Sequence, residues 1–245
     1  MSVQNVRTIS FSGIDGAGKT TQIDELCTAM EAKGLQVRLI RFWDDIAQFT
    51  RFRESAGHRI FKGDKGIGSP SAPINRKDKN VRSWPMAAVR LFLYLADALA
   101  LRNCMRIARS CGAEVVIFDR FIYDELANLN LGNPVMRWYA RFIMRCVPRP
   151  SVSLLLDADP AAARARKPEY PIEFIWINRR AYLTLSELIG GITIIRPNTV
   201  HEVKREVLAS AFDAFRIASP GSEQAFAAAK PGNEGAKPMD GQIAS

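Results

Sequence analysis

The sequence predicts an α/β fold in which a five-stranded, mostly parallel sheet is flanked by helices on both faces, giving three layers. Two observations support this prediction. Apolar, β-branched runs bounded by turn residues recur five times, and segments with the spacing of amphipathic helices lie between them. This alternation is typical of parallel βαβ units, whose ligands collect at the carboxyl ends of the strands.

The predicted strands are the runs at residues 6–11, 36–42, 114–118, 151–156 and 192–195. The first helix follows the first strand and ends near Gly34. Its apolar residues stand at positions i, i+3, i+4 and i+7, which are Ile23, Leu26, Cys27 and Met30. Further helices are predicted over 84–110, 135–147, 160–166, 172–189 and 200–215.

The amino-acid composition limits which classes of ligand, metal site and cellular location are expected. A formal net charge of +9 favours anionic partners such as nucleotides, nucleic acid or an anionic membrane face. Four cysteines without a CxxC pair, and only two histidines, predict a reduced interior without a metal cluster. The apolar stretch 87–101 is interrupted by Arg90 and Asp97, so we expect no membrane span. Without a secretory signal pattern, the expected location is the cytoplasm.

A phosphate-binding motif stands between the first strand and the first helix, where Gly13 to Thr20 fits G-x-x-x-x-G-K-[ST]. Its backbone N–H groups can wrap a phosphate chain, Lys19 can reach the β and γ phosphates, and the Thr20 hydroxyl can ligate Mg²⁺. A glycine-rich turn with an accidental lysine is the alternative. The motif predicts a P-loop NTPase fold that binds Mg²⁺ through Thr20. The predicted ATP-binding residues are Gly13, Asp15, Gly16, Ala17, Gly18, Lys19, Thr20 and Thr21.

An acidic and a basic residue, Asp119 and Arg120, directly follow the third predicted strand. A carboxylate at that strand's carboxyl end can orient the hydrated metal or the acceptor nucleophile, so Asp119 is a candidate catalytic residue and metal ligand. A structural ion pair is the alternative for these two residues.

Three segments resemble the thymidylate kinase family of nucleoside monophosphate kinases. Residues 11–22 are similar to that family's opening, Asp119-Arg120-Phe121 to its Asp-Arg-Tyr motif, and residues 154–160 to its fourth strand. The resemblance implies transfer of the ATP γ-phosphate to an anionic acceptor, with Arg120 holding the acceptor phosphate and Asp15 approaching the acceptor sugar. It also implies that a homodimer is compatible with the apolar helix at 87–101.

The resemblance places the family's mobile lid at about residues 163–173, where Arg164, Arg166 and Lys167 cluster. An arginine delivered by a closing lid stabilises charge on the transferring phosphoryl group. Members of the family without an arginine in the P-loop tend to supply it from the lid. Because residues 13–20 contain none, the resemblance implies that Arg164 and Arg166 are the candidate catalytic arginines. The alternative is a solvated basic helix end.

The predicted acceptor pocket departs from the family pattern. Tyr94 stands where the family has a base-stacking phenylalanine, Ala98 replaces an expected arginine, and carboxylates appear at Asp124 and Glu125. We predict that Tyr94, Asp124 and Glu125 face the acceptor, with a core position as the alternative for Tyr94. The added carboxylates favour a hydroxyl or amino donor over a second phosphate.

These observations predict an ATP-dependent phosphotransferase acting on a nucleoside monophosphate, with dTMP among the candidates. A kinase of a nucleoside, sugar or other small acceptor is the alternative. A nucleotide-binding regulator or nucleic-acid-associated NTPase is the second alternative. Because no nucleic-acid-binding module is recognisable, nucleic acid is not an expected partner.

The kinase domain is expected over 1–218, with a basic insertion at 44–82, and residues 219–245 are expected to form a disordered, low-complexity tail.

Overall fold

The computed structural model describes residues 6–46, 84–108 and 112–216. Its five strands form one parallel sheet in the order β2-β3-β1-β4-β5. The strands are β1 (Arg7–Ser12), β2 (Val37–Arg41), β3 (Val115–Asp119), β4 (Val152–Leu156) and β5 (Thr193–Ile195). The predicted fold class is therefore confirmed, and no strand boundary differs from its predicted position by more than one residue.

The helices are α1 (Lys19–Glu31), α2 (Trp84–Ala108), α3 (Ile122–Leu126), α4 (Pro134–Cys146), α5 (Pro160–Arg166), α6 (Ile172–Ile189) and α7 (Val200–Phe215). Helix α4 starts at Pro134 because the Asn133 side chain accepts a hydrogen bond from the Val135 N–H at 2.8 Å. Helix α3 and a π-helical turn over Phe42–Ile46 were not predicted, because about one helical turn is too short to show a periodic pattern.

The strands alternate their side chains between two cores, one on each face of the sheet. In β3, Val115 and Ile117 pack into the core that includes residues of α1 and α7, while Val116 and Phe118 pack into the core beneath α2, α4 and α6. All four side chains are buried. Burial on both faces explains why this strand reads as a continuous apolar run.

The strand order indicates where a ligand would bind, namely at the carboxyl ends of the central strands. From β1 the chain runs out to the edge strand β2 and then returns to β3, whereas β4 lies on the other side of β1. The register pairs Phe11 with Asp119 and Ser12 with Leu155, so β1, β3 and β4 end together. Loops that leave these three strands meet at the point where the strand order reverses, which is where ligands bind in open α/β sheets.

Two predicted segments lie largely outside the described residues, namely the basic insertion beyond residue 46 and the tail at 219–245. Of the helices in the described part of the chain, none combines the length and apolar content that a membrane crossing requires.

Candidate active site

The predicted phosphate loop connects β1 to α1 and depends on glycine at two crowded positions. Gly13 and Gly16 have φ angles of +141° and +81°, which L side chains rarely adopt. A Cβ at Gly13 would lie 2.4 Å from the Leu156 carbonyl oxygen, and a Cβ at Gly16 would lie 2.3 Å from the Ala163 carbonyl oxygen. The loop is therefore held between the end of β4 and the backbone of α5.

The loop ends in a helix N-terminus that suits an anion. Gly18 caps α1 in the left-handed conformation, and the first helical residues are Lys19, Thr20 and Thr21. The N–H groups of a first helical turn have no intrahelical acceptor and carry a partial positive charge. Thr20 and Thr21 are exposed at this end of the helix. The loop and the helix together form a cradle of the kind that binds phosphate groups.

Lys19 is folded back over the loop. Its side chain is buried, and Nζ donates hydrogen bonds to the carbonyl oxygens of Gly13 and Ile14, each at 2.9 Å. Burial and the nearby Arg120 guanidinium lower the pKa of Lys19 to about 8, although Asp124, Asp15 and Asp119 act in the opposite direction. The ammonium is thus held beside the phosphate cradle in a setting that favours loss of its proton.

Arg120 links the end of β3 to the phosphate loop. Its φ of 68° is unusual for a residue with a side chain, and its N–H donates to the Phe11 carbonyl oxygen at 3.0 Å. The guanidinium donates from Nη1 to Asp124 at 3.0 Å and from Nη2 to Asp15. Burial alone would lower the pKa of Arg120, but the Asp124 and Asp15 carboxylates outweigh it and raise the pKa, so the side chain stays charged.

Asp15 is the more exposed of the two carboxylates that hold Arg120. The Asp15 side chain is 28% exposed, against 2% for Asp124. Burial by itself would raise the pKa of Asp15, but Arg120 and Lys19 outweigh it and keep the pKa below its ordinary value. Asp15 is therefore an ionised group on the open side of the loop, where a ligand can reach it.

Asp124 is the centre of a buried hydrogen-bond network. Its Oδ2 accepts from the Ser12 hydroxyl at 2.6 Å and the Phe121 N–H at 3.2 Å, and its Oδ1 accepts from Tyr182 at 2.7 Å in addition to Arg120.

Asp124 and Glu125 are predicted from the sequence to contact the acceptor. The structure buries both residues, at 4% and 3% exposure, and commits Asp124 to protein donors.

Asp119 and Thr20 carry side-chain oxygen atoms of the kind that Mg²⁺ binds. Asp119 is half-buried at the end of β3, close enough to Lys19 to act on its pKa, and Thr20 is exposed at the start of α1. Mg²⁺ usually takes one or two protein oxygens and completes its shell with water and phosphate. The donor set therefore fits Mg²⁺. Within the described residues, no cluster of three or more His, Cys, Asp or Glu side chains forms a metal cage.

The predicted lid region begins with α5, which lies directly against the phosphate loop through Ala163 and Gly16. Arg164 is half-buried and Arg166 is exposed in the last turn of this helix. The next residue, Lys167, pairs with Glu169 at 3.4 Å and is near enough to Asp15 to lower its pKa. The three cations of the predicted lid thus belong to a segment that touches the phosphate loop.

Tyr94 lies on α2 with 4% of its surface exposed, within the core beneath α2, α4 and α6. The Arg90 guanidinium sits 5.8 Å from the centre of the Tyr94 ring, and Arg90 also donates to the Asn128 carbonyl oxygen at 3.0 Å. This placement is the one expected for a core tyrosine, and stacking of Tyr94 on an acceptor base stays a prediction.

Sequence reasoning missed two groups that organise the site. Ser12 and Tyr182 hold Asp124, and Arg179 donates two hydrogen bonds to Asp157, at 2.6 and 2.7 Å, which fix α6 to the end of β4. The position of Ser12 at a strand's carboxyl end was a usable signal. Tyr182 and Arg179 gave none, because they are ordinary residues of an amphipathic helix until the fold brings their partners near.

The chain is similar in sequence to several known proteins, although not to any protein-family model. A probable thymidylate kinase of Methanothermobacter thermautotrophicus is 27% identical over 218 residues, which covers 87% of this chain and 98% of that protein. A probable thymidylate kinase of Methanosphaera stadtmanae is 24% identical over 202 residues, covering 81% of this chain and 93% of that protein.

A thymidylate kinase of Bifidobacterium longum is 30% identical over 162 residues, which covers 64% of this chain and 69% of that protein. The sheet order and the loop between β1 and α1 agree with these similarities. The chain therefore belongs to the thymidylate kinase family and is a phosphotransferase of the nucleoside monophosphate kinase class.

Proposed function

We propose that the protein transfers the γ-phosphate of Mg·ATP to the phosphate of a nucleoside monophosphate, and that dTMP is the first acceptor to test. The observation that carries this proposal is the contact between Arg120 and Asp15. It joins the arginine expected to hold the acceptor phosphate to the loop expected to hold the donor phosphates. Donor and acceptor phosphates would thus meet beside one charged cluster, as in-line transfer requires.

On the donor side, the loop amides and Lys19 would bind the β and γ phosphates. Lys19 would exchange its two carbonyl acceptors for phosphate oxygens, which are stronger acceptors because they are charged. Thr20 and Asp119 would hold the metal, which would supply positive charge that offsets the negative charge of the phosphates. Catalysis would then rest on positioning and electrostatics rather than on a covalent intermediate.

On the acceptor side, the Arg120 guanidinium has N–H groups that no acceptor among the described residues is seen to take. A guanidinium carries five N–H groups, and one N–H each from Nη1 and Nη2 is used by Asp124 and Asp15. The unused N–H groups suit the oxygens of a phosphate, which arginine binds with two parallel hydrogen bonds. The ionised Asp15 carboxylate on the open side can accept from a sugar hydroxyl.

The catalytic arginine is proposed to come from the lid because the phosphate loop contains no arginine and has no space for one at residue 16. A side chain at residue 16 would collide with the Ala163 carbonyl oxygen at 2.3 Å. Arg164 and Arg166 lie on the same short helix as Ala163, within one turn of that contact. We propose that one of them reaches the transferring phosphoryl group when nucleotide is bound.

The proposed function is tested by coupled detection of ADP with Mg·ATP and a panel of deoxynucleoside and ribonucleoside monophosphates, nucleosides and sugars. We expect turnover with at least one monophosphate, and with dTMP in particular. Lys19→Ala should abolish that turnover while the fold, followed by circular dichroism, is retained. Turnover that persists in Lys19→Ala, or that no monophosphate stimulates, would refute the proposal.

A second candidate, a kinase of a hydroxyl acceptor, is favoured by one observation. Arg120 is already paired with two carboxylates, Asp15 and Asp124, and Glu125 adds a further carboxyl group next to Asp124. Carboxylates beside the acceptor position repel a dianionic phosphate, whereas they can accept a hydrogen bond from a neutral hydroxyl donor. Stimulation by nucleosides or sugars alone in the same panel would select this candidate.

Two further features belong to the proposal. We propose that the kinase unit comprises residues 1–218, with the insertion at 44–82 and the lid at about 163–173; most of the insertion and all of residues 219–245 lie outside the described residues. A homodimer would use the apolar helix α2, which exposes Val89, Phe92 and Leu99.

A further inference from the structure

We propose that Tyr182 is a positioning residue for Arg120, acting through Asp124, and that it fixes the guanidinium in the orientation that receives the acceptor phosphate. The inference rests on the proposed function, because it takes Arg120 as the acceptor-binding arginine. It also changes the expected role of Asp124, from a ligand of the acceptor to the anchor of the arginine.

The shared oxygen is the first argument. The Tyr182 hydroxyl donates to Oδ1 of Asp124 at 2.7 Å, and Nη1 of Arg120 donates to the same oxygen at 3.0 Å. Because one oxygen accepts both bonds, its position sets the place of both donors. The other oxygen, Oδ2, is held by Ser12 at 2.6 Å and by the Phe121 N–H at 3.2 Å. Four donors therefore define the plane of one carboxylate.

The two anchors of Arg120 are unequal, and this makes the Asp124 side the fixed one. The Asp124 side chain is 2% exposed and fully engaged, whereas the Asp15 side chain is 28% exposed and belongs to the phosphate loop. A movement of the phosphate loop that draws Asp15 away would leave the Arg120 guanidinium held only from the Asp124 side. Oδ1 of Asp124 accepts from Tyr182 and from Arg120. Without the Tyr182 hydroxyl, Arg120 would be the one remaining donor to this oxygen among the described residues.

The protonation state of Tyr182 is consistent with a permanent donor. Its side chain is buried, and burial together with the neighbouring Asp124 carboxylate raises the pKa of the phenol well above its ordinary value, although Arg120 acts in the opposite direction. The hydroxyl keeps its proton at neutral pH and has Asp124 as its acceptor.

The position of Tyr182 on α6 ties Arg120 to the helix that follows the predicted lid. Helix α6 begins at Ile172, and about two turns later Arg179 grips Asp157 at the end of β4 with two hydrogen bonds. Tyr182 lies three residues further along. The segment that carries the lid is thus connected on one helix to the anchor of the acceptor arginine.

The test is Tyr182→Phe, which removes the hydroxyl and keeps the ring in its buried place. With a monophosphate acceptor, we expect the acceptor KM to rise about tenfold, the scale of one lost hydrogen bond to a charged group, and the KM for ATP to stay within about twofold. The matched control is Tyr123→Phe. Tyr123 is also buried, and its hydroxyl bonds Ser153 at 3.1 Å rather than Asp124. This control should leave both KM values unchanged.

A second measurement does not depend on the acceptor. In the ligand-free protein, the Nε–H resonance of Arg120, assigned by its loss in Arg120→Lys, reports how firmly the guanidinium is held. We expect a sharp, slowly exchanging signal in the wild-type protein and in Tyr123→Phe, and a broadened one in Tyr182→Phe. An unchanged resonance in Tyr182→Phe overturns the positioning role whatever the acceptor is. An equal rise of both KM values would show a merely structural residue. Absence of monophosphate turnover in the wild-type protein would instead refute the proposed function.

Discussion

At the scale of single residues, the site is governed by close approach and by charge. Gly16 exists because the α5 backbone passes where a Cβ would stand, and Lys19 is buried beside another cation, Arg120. Glycine adopts the left-handed backbone at residue 16 without strain, whereas the burial of the Lys19 ammonium costs stability because it removes a charge from water. Residues held in this way are typical of functional sites rather than of structural turns.

The Gly16 contact predicts the effect of a single methyl group. Gly16→Ala should lower the free energy of unfolding by about 2 kcal/mol or more, because the methyl group meets a backbone oxygen that cannot move aside cheaply. Gly18→Ala is the matched control, since Gly18 has a similar φ of +88° but its Cβ would meet nothing within 4 Å. Denaturant unfolding measures both. Equal losses would contradict the close contact between the loop and α5.

The lowered pKa of Lys19 predicts proton uptake on nucleotide binding. Below pH 8 the free protein already carries the protonated ammonium, so binding at pH 7 should take up almost no proton at this residue. At pH 9 the ammonium is mostly deprotonated. Bound polyphosphate favours the charged form, so binding should take up about one proton. Calorimetry of Mg·ATP binding in buffers of different ionisation enthalpy measures this number.

The control for proton uptake is Lys19→Arg, whose guanidinium stays charged at both pH values. In that variant the difference between pH 7 and pH 9 should vanish. A wild-type protein that takes up the same number of protons at both pH values would show that Lys19 has an ordinary pKa.

At the scale of elements, α5 and α6 behave as one unit built around the phosphate loop. The Asp159 side chain caps α5 by accepting from the Ala162 N–H at 2.9 Å, and Pro160 supplies its first turn. Helix α6 is fixed by Arg179 and by Tyr182. The predicted lid, at about residues 163–173, spans the last turn of α5 and the start of α6 and is the part expected to close over the nucleotide.

The lid proposal predicts a large catalytic effect from a small surface change. At least one of Arg164→Ala and Arg166→Ala should reduce kcat by on the order of 10³-fold, with little change in the temperature of unfolding, because an arginine that stabilises the transferring phosphoryl group acts mainly in the transition state. Arg141→Ala, an exposed arginine on α4, is the matched control and should keep full activity. Steady-state kinetics with saturating substrates separates these outcomes.

If neither lid variant lowers kcat appreciably, the catalytic cation lies elsewhere. Lys167 would then be the next residue to replace, since it is close enough to lower the pKa of Asp15.

At the scale of the whole molecule, most of the fold could be predicted from the sequence because the chain alternates its patterns clearly. Strands buried on both faces read as continuous apolar runs, and the longer helices show a repeating apolar face. Helix α3 escaped prediction because its five residues span little more than one turn. The predicted insertion at 44–82 lies mostly outside the described residues.

Those parts of the candidate site that consist of residues close together in the sequence could be predicted. The phosphate loop and the pair Asp119-Arg120 each form one short motif at a strand's end. The hydrogen-bond network that holds Arg120 could not be predicted from the sequence. Its members Ser12, Asp124 and Tyr182 come from three separate segments of the chain. A carboxylate next to a binding motif suggests a ligand, and only the folded chain reveals that protein donors already occupy its oxygens.

The most direct test of the central claim follows the fate of the transferred group. Wild-type protein is incubated with Mg²⁺, ATP labelled in its γ-phosphate, and unlabelled dTMP, and the products are separated. We expect the label to appear as the β-phosphate of a thymidine diphosphate, and Lys19→Ala to yield none. Label found only as inorganic phosphate, or attached to a sugar hydroxyl, would contradict it.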